Sequence, residues 1–526
     1  MSDFLTNLKA MNNYTETENG AIALKSTLNP VLDAFGSLAA MKDRPEAEIL
    51  RMWNAAYQAD PALSMRLLFY IRDIRGGQGM RRVFRVIARN MALVNPDLMS
   101  KNLDNFLFFG RGDDVLCLLD TPAEKSVLEW IDSTIKSDVA EIANEKYPTM
   151  LAKWLPSINA SSHITRAQGR KIAKGLGLTE KEYRVTLSAL RKKIGIVETL
   201  MSQNRWNEID FEKVPSRASM IYSDAFINHV RDNYVEYLQN VATGKAKVNA
   251  NALFPVDIIH KVASTSRLNL KDTYLLTAMW NALPNYFEGK EETGLCVIDT
   301  SGSMWGTPLE VAVSLGMYCA DKAKGPFHGH FITFSNRPEL QAITGQTIVD
   351  KYNGLIRAGW DMNTNLEAVF DLILKTAVAN NMAPKDLPTK LYIVSDMQFD
   401  DAITNRSNYY WRSGGLVAER RNTFMDSVRE KYTQHGYTLP AIVYWNVNAR
   451  NTGMFQTTFQ GENCAMVSGY SPSLFKAVIE GTQLITETVT NSVTGETKTV
   501  EKQVLDPLVV MNTALMAERY NRVITQ

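Results

Sequence analysis

The chain runs to 526 residues, enough for two or more domains with sizeable cores. Its 57 Lys and Arg against 56 Asp and Glu leave it near neutral, so overall charge marks out neither nucleic acid nor a membrane surface, and any electrostatic signal is local. No stretch approaches ~18 uninterrupted apolar residues, and Met1-Ser2-Asp3-Phe4 carries neither a basic n-region nor a long apolar core, so the expectation is a soluble, cytoplasmic protein with no membrane contact.

Residues 1–40 read as an N-terminal arm. From 41 to 290 the apolar spacing is three and four, with almost no strand-like alternation. Pro45 opens a helix through Ile49, Met52, Trp53 and Tyr57. Others follow over Pro61–Arg72 and Met80–Ala92, with a short turn from Pro96. Further helices are predicted over Ala123–Asn144, Arg166–Leu176, Glu180–Lys193, Ile194–Gln203 and Arg217–Val241. Successive amphipathic helices on short loops predict an irregular helical-repeat array without a fixed period.

Four stretches of this half are too idiosyncratic for packing alone: Ile71-Arg72-Asp73-Ile74-Arg75-Gly76-Gly77-Gln78-Gly79, Phe109-Gly110-Arg111-Gly112-Asp113-Asp114, Lys153-Trp154-Leu155-Pro156-Ser157 and Lys213-Val214-Pro215-Ser216-Arg217. The first reads as a glycine-permitted turn with Arg72 and Asp73 paired; a phosphate-contacting turn is its alternative. In the second, Asp113 is expected to cap the next helix. Trp154 reads as a packing anchor. Between Lys153 and Arg217 thirteen Lys and Arg face six Asp and Glu, a local excess in a neutral chain. Arg166, Arg170, Lys171 and Lys174 share a helix face, and Arg191, Lys192 and Lys193 close the following helix. Such a face neutralises phosphates and makes binding salt-sensitive. The competing reading is a solvated surface whose cations pair with acids elsewhere.

From 291 to 526 strand and helix alternate. Strand Leu295–Ile298 leads to helix Pro308–Ala323 and strand His330–Phe334. Helix Leu366–Ala379, strand Leu391–Ser395, helix Val417–Tyr432 and strand Ala441–Trp445 follow, then strand Ala465–Ser468 and helix Ser471–Glu480. This order predicts a doubly wound parallel sheet with ligands at the carboxyl ends of its strands. Thr- and Val-rich residues 483–503 read as an inserted β-hairpin, and Asp506–Tyr520 as a covering helix.

Three pieces of this half carry chemistry. Asp299-Thr300-Ser301-Gly302-Ser303 follows the first strand, Thr364 lies in the loop Asp361-Met362-Asn363-Thr364-Asn365, and Asp396 ends Val394-Ser395-Asp396. Two carboxylates with hydroxyls and water form a hard-oxygen, octahedral donor set, suited to Mg²⁺ or Mn²⁺ rather than zinc. Asp299, Ser301, Ser303, Thr364 and Asp396 are therefore the expected metal ligands, with one position left for a ligand carboxylate. Asp400 and Asp401 lie further round the loop.

Nothing points to an enzyme. There is no phosphate-binding glycine loop followed by Lys-Ser/Thr and no His-Glu-x-x-His. No histidine has a positional claim to activate Ser301 or Ser303, and His328 and His330 find no third ligand. Cys117, Cys296, Cys319 and Cys464 lack metal-like spacing and read as reduced thiols, three of them in apolar segments.

The metal pattern resembles the von Willebrand factor A domain. Together with the four helical stretches, it resembles the family that joins a TROVE module to such a domain, the Ro autoantigen and its bacterial relatives. The wording is most similar to a TROVE-like branch found in plants, fungi, bacteria and phages. The resemblance implies a multidomain α + α/β fold: a helical ring or horseshoe (TROVE/HEAT-like), followed by a doubly wound, Rossmann-like von Willebrand A domain. It further implies a non-catalytic RNA-binding scaffold for small non-coding or misfolded RNA, with Mg²⁺ (or Mn²⁺) in the A domain. Arg166, Arg170, Lys171, Lys174, Arg191, Lys192 and Lys193 are the expected phosphate contacts. The alternative is a metal-dependent protein-interaction or assembly module, phage-associated in one variant, whose partner supplies an acidic residue to the metal.

Overall fold

The computed structural model describes residues 13–250, 252–265, 268–290, 293–334, 338–356, 365–399, 424–451, 453–490 and 497–526. A helical N-terminal region is followed by a mixed, mostly parallel sheet with helices on both faces. After a small hairpin of β1 (Tyr14–Glu16) and β2 (Ile22–Leu24), the central sheet comprises β3 (Gly294–Asp299), β4 (His330–Phe334), β5 (Glu339–Ala342), β6 (Lys390–Ser395), β7 (Ala441–Asn446) and β8 (Cys464–Ser468). Its order is β5-β4-β3-β6-β7-β8, parallel except for the antiparallel edge strand β5. β5 and the helix Ile348–Ile356 behind it were not expected from the sequence.

Strand alternation sorts the core into two layers. Cys296, Ile298, Tyr392, Val394, Val443, Trp445 and Val467 face one way. Leu295, Val297, Leu391, Ile393, Ile442, Tyr444 and Met466 face the other, onto helices Leu366–Ala379 and Phe424–Gln434. On the first face, helix Thr307–Lys322 lies so close to β3 that a Cβ on Gly316 would stand 2.0 Å from Ile298 Cδ1. Glycine is required there by proximity.

That first layer continues into the helical region. Trp53, Phe69 and Phe84 belong to the same uninterrupted apolar cluster as Trp445 and Phe475. The helices form where expected, to within a few residues: Glu46–Ala59, Pro61–Arg72, Arg81–Val94, Glu124–Ala143, His163–Gly175, Glu180–Ile194 and Ser216–Ala242. Local chemistry sets their ends. Asp60 caps Leu63 N ahead of Pro61, and Thr179 with Glu182 forms a capping box. Gly195 ends that helix in the left-handed region at φ 71°.

The helical region touches the sheet domain at both ends. Helix Pro61–Arg72 packs against helix Pro507–Leu515, while helix Pro255–Ser264 packs against Thr307–Lys322. The last residues of the chain reinforce the first contact. Arg519 pairs with Asp73 at 2.6 Å, Tyr520 donates to Asp73 at 2.9 Å, and Ile524 exchanges backbone hydrogen bonds with the Asn102 side chain.

Two local expectations are corrected here. Arg72 pairs with Asp114 at 2.7 Å, not with Asp73, because Asp73 is taken by the C-terminus. The turn after Gly110 is capped by Asp114, which accepts from Arg111 N at 2.9 Å, while Asp113 pairs with Arg85 and Arg111. Trp154 packs beneath the Arg111 guanidinium, 3.8 Å from its ring centre.

The described part of the N-terminal arm is built into the fold. Leu24 pairs with Phe455, and Ser468 of β8 donates to Phe35 O in helix Pro30–Phe35 at 2.7 Å. It covers the β8 side of the sheet, which would otherwise offer an open edge. The C-terminal hairpin has longer arms than expected, β9 (Thr482–Thr490) and β10 (Thr497–Leu505). No helix among the described residues is long and apolar enough to cross a membrane.

Candidate metal centre

The sheet order reverses between β3 and β6, and a doubly wound sheet opens its ligand crevice at that point. Asp299 closes β3 and Asp396 follows β6, so the topology brings two carboxylates to the same carboxyl edge. Both are buried. Asp299 accepts from Ser301 N at 2.9 Å through Oδ1 and from Ser395 Oγ at 2.6 Å through Oδ2. The Ser301 and Ser303 hydroxyls lie 3.0 Å apart on the short turn Gly302–Met304. Asp396 Oδ1 accepts from Gln398 N at 3.3 Å, while Asp396 Oδ2 is buried and has no hydrogen-bond partner among the described residues.

This arrangement is electrostatically uncomfortable without a cation. Burial, then the neighbouring Asp396, pushes the Asp299 carboxyl up to about 7. Burial also raises Asp396, against the opposing pull of the Ser303 hydroxyl, Gln398 N and Arg450. Two buried carboxylates, two hydroxyls and an oxygen without a donor form a set that a hard divalent cation satisfies. The residues present therefore fit Mg²⁺ or Mn²⁺: Asp299, Ser301, Ser303 and Asp396 would hold it, and it would supply a Lewis-acidic position for an anionic oxygen. Among the described residues no three His, Cys, Asp or Glu side chains cluster; the centre draws on hydroxyls instead. Thr364, Asp400 and Asp401 lie outside the described residues.

Sequence reading missed the supports of the centre. Ser395 stands beside Asp299 because Ile298 pairs with Val394, so the next residues on each strand are neighbours on one face. That signal was present in the strand alternation. The buttress from the N-terminus was not: Thr17 donates to Phe399 O at 2.7 Å, and Gln398 binds Glu18 N at 2.9 Å and the Asn19 side chain at 2.8 Å. These contacts hold a loop that passes through the left-handed region at Met397, φ 65°.

The expected phosphate contacts divide. Arg191 donates to Ala152 O, Leu155 O and Ser157 Oγ at 2.7–2.8 Å, and burial lowers its pKa. Arg166 holds Ala160 O and Ser161 O, and Lys171 sits between Asp120 and Glu124. Those three side chains tie loops to helices. Arg170 pairs with Glu180 at the surface, Lys193 lies over the Tyr147 ring, and Lys174 and Lys192 are exposed.

The molecule is thus a helical region closed onto a doubly wound α/β domain with a carboxylate–hydroxyl centre at its switch point. A family profile described as a domain of unknown function, DUF2828, matches residues 17–109 and 149–286, and a second, DUF7788, also described as a domain of unknown function, matches residues 293–515. The chain is 28% identical over 511 residues to a protein of Acanthamoeba polyphaga mimivirus named uncharacterized protein L728, covering 89% of this chain and 85% of that one.

Proposed function

We propose that this protein is a non-catalytic binding scaffold of the TROVE plus von Willebrand A type, whose sheet domain holds Mg²⁺ or Mn²⁺ and through it captures an acidic group of a protein partner. The observation that carries the reading is the buried pair Asp299 and Asp396, with Ser301 and Ser303 beside it and Asp396 Oδ2 left without a donor among the described residues. A cation offsets the repulsion of the pair and keeps a position for a further anionic oxygen. Packing of the helical region on the sheet domain through helices Pro61–Arg72 and Pro255–Ser264 supports this reading. Titration with Mn²⁺, read by its paramagnetic resonance signal, tests the centre. Wild type binds one ion and Asp299→Ala/Asp396→Ala binds none; unchanged affinity in that variant overturns the assignment.

RNA binding by the helical region is the second reading. It is favoured by the surface position of Arg170, Lys174 and Lys192 within the cation-rich stretch 153–217. Protein purified at low salt would carry RNA that is lost at high salt and in Lys174→Glu/Lys192→Glu. A preparation free of RNA that also ignores added single-stranded and structured RNA removes this reading.

A further inference from the structure

A cleft of about 970 Å³ opens between the start of helix Arg81–Val94, helices Ser216–Ala242 and Pro255–Ser264, and the start of helix Thr307–Lys322. Its lining includes none of Asp299, Ser301, Ser303 and Asp396, and of the cation-rich stretch 153–217 it takes only Arg217. Most charges on its walls neutralise one another. Arg217 pairs with Asp257 at 2.7 Å, Asp224 with Lys271, and Arg85 with Asp113 and Asp114, while Glu310 is hydrogen-bonded to the His260 ring at 2.7 Å. Among the described residues Lys42, Arg81, Arg82 and Lys261 have no carboxylate in ion-pair distance, Arg82 donating instead to Lys42 O and Arg44 O, and the acids Glu46 and Glu310 share the walls with them.

Arg81 is the most telling of the four. Among the described residues its buried Nε finds no hydrogen-bond partner, and burial with the Arg111 and Arg85 guanidiniums lowers its pKa against the opposing pull of Asp113 and Asp114. Arg81 and Arg82 also open a helix with no acidic residue in its first turn and no side-chain cap. Cations there oppose the helix dipole, whose positive end favours anions. Helices Pro255–Ser264 and Thr307–Lys322 likewise begin at the cleft, each with its own acid, Asp257 and Glu310, in the first turn. Met220, Ile221 and Phe254 line the same space with apolar surface.

We propose that this cleft binds a small organic phosphate: a molecule with two or more phosphate groups on an aromatic or apolar body, of nucleotide size. Phosphates placed among Lys42, Arg81, Arg82 and Lys261 receive charge-assisted hydrogen bonds, including the one Arg81 Nε lacks. The body packs on Phe254 and its neighbours. The volume is that of a single drug-sized ligand. Most of the wall charges are paired and the space has the volume of one ligand, so a small molecule fits better than a polymer.

The test is calorimetric titration of the full chain in EDTA with ATP, with pyrophosphate and with an oligouridylate RNA. ATP binds, and pyrophosphate binds more weakly for want of the aromatic body. Arg81→Ala and Lys261→Ala each weaken ATP by about tenfold. Exposed Lys42→Ala, which leaves the core untouched, does the same and guards against misfolding of the Arg81 variant. Asp299→Asn leaves ATP binding unchanged, which separates this site from the metal centre. The proposal is overturned if ATP and pyrophosphate do not bind, if only the RNA binds, or if the Lys42 and Lys261 variants keep wild-type affinity.

Discussion

Asp299→Asn is the most informative perturbation of the carboxylate centre. Burial and Asp396 raise the Asp299 carboxyl from its ordinary 3.8 to about 7, a gap of about 4 kcal/mol at about 1.4 kcal/mol per pH unit. A raised carboxyl favours its protonated form. Its stabilising contribution is therefore complete below pH 3.8 and is lost as the pH rises to about 7. The metal-free wild type should lose up to about 4 kcal/mol from this group across that window, and a cation should restore it above neutrality. Asparagine keeps the shape, can still accept from Ser301 N and removes the charge. The assay is urea unfolding of the full chain at pH 5 and pH 8, in EDTA and in Mg²⁺. In EDTA the variant gains on the wild type between pH 5 and pH 8; in Mg²⁺ at pH 8 only the wild type is stabilised. The reasoning is refuted if Mg²⁺ stabilises both proteins equally, or if their difference in EDTA is the same at both pH values.

Other consequences follow from packing and pairing. Gly316→Val drives a side chain into Ile298 and should cost about 1–3 kcal/mol or more in denaturant unfolding, whereas a surface Val elsewhere costs little. Arg519→Ala strips a cation from buried Asp73 and should destabilise by about 3–5 kcal/mol, with earlier proteolysis of the C-terminus as a second readout. Arg191→Ala frees Ala152 O, Leu155 O and Ser157 Oγ and should lower thermal stability, while Lys192→Ala should leave it within about 0.5 kcal/mol. Equal stability of those two variants would contradict the structural role assigned to Arg191.

The sequence by itself determined most of the helices, the parallel strands of the central sheet and which two of those strands end in carboxylates, though not β5 or helix Ile348–Ile356. The spacings of three and four, the alternation in Leu295–Ile298 and Leu391–Ser395, and caps such as Asp60-Pro61 and Thr179–Glu182 act within a few residues, so local physics decides them. The chain order of strands and helices likewise placed Asp299 and Asp396 at one edge of a doubly wound sheet. Partners across the fold were out of reach. Asp73 meets Arg519, Gln398 meets the N-terminal hairpin, and Arg191 meets the loop at Leu155 only after helices and sheet have packed. The cleft beside Arg81 arises in the same way, from helix starts far apart in the chain. A charged side chain's free energy depends on burial and on which opposite charge lies within a few ångströms, so the same run of cations yields structural ties at Arg166, Lys171 and Arg191 and exposed charge at Lys174 and Lys192. Tertiary structure alone decides between them.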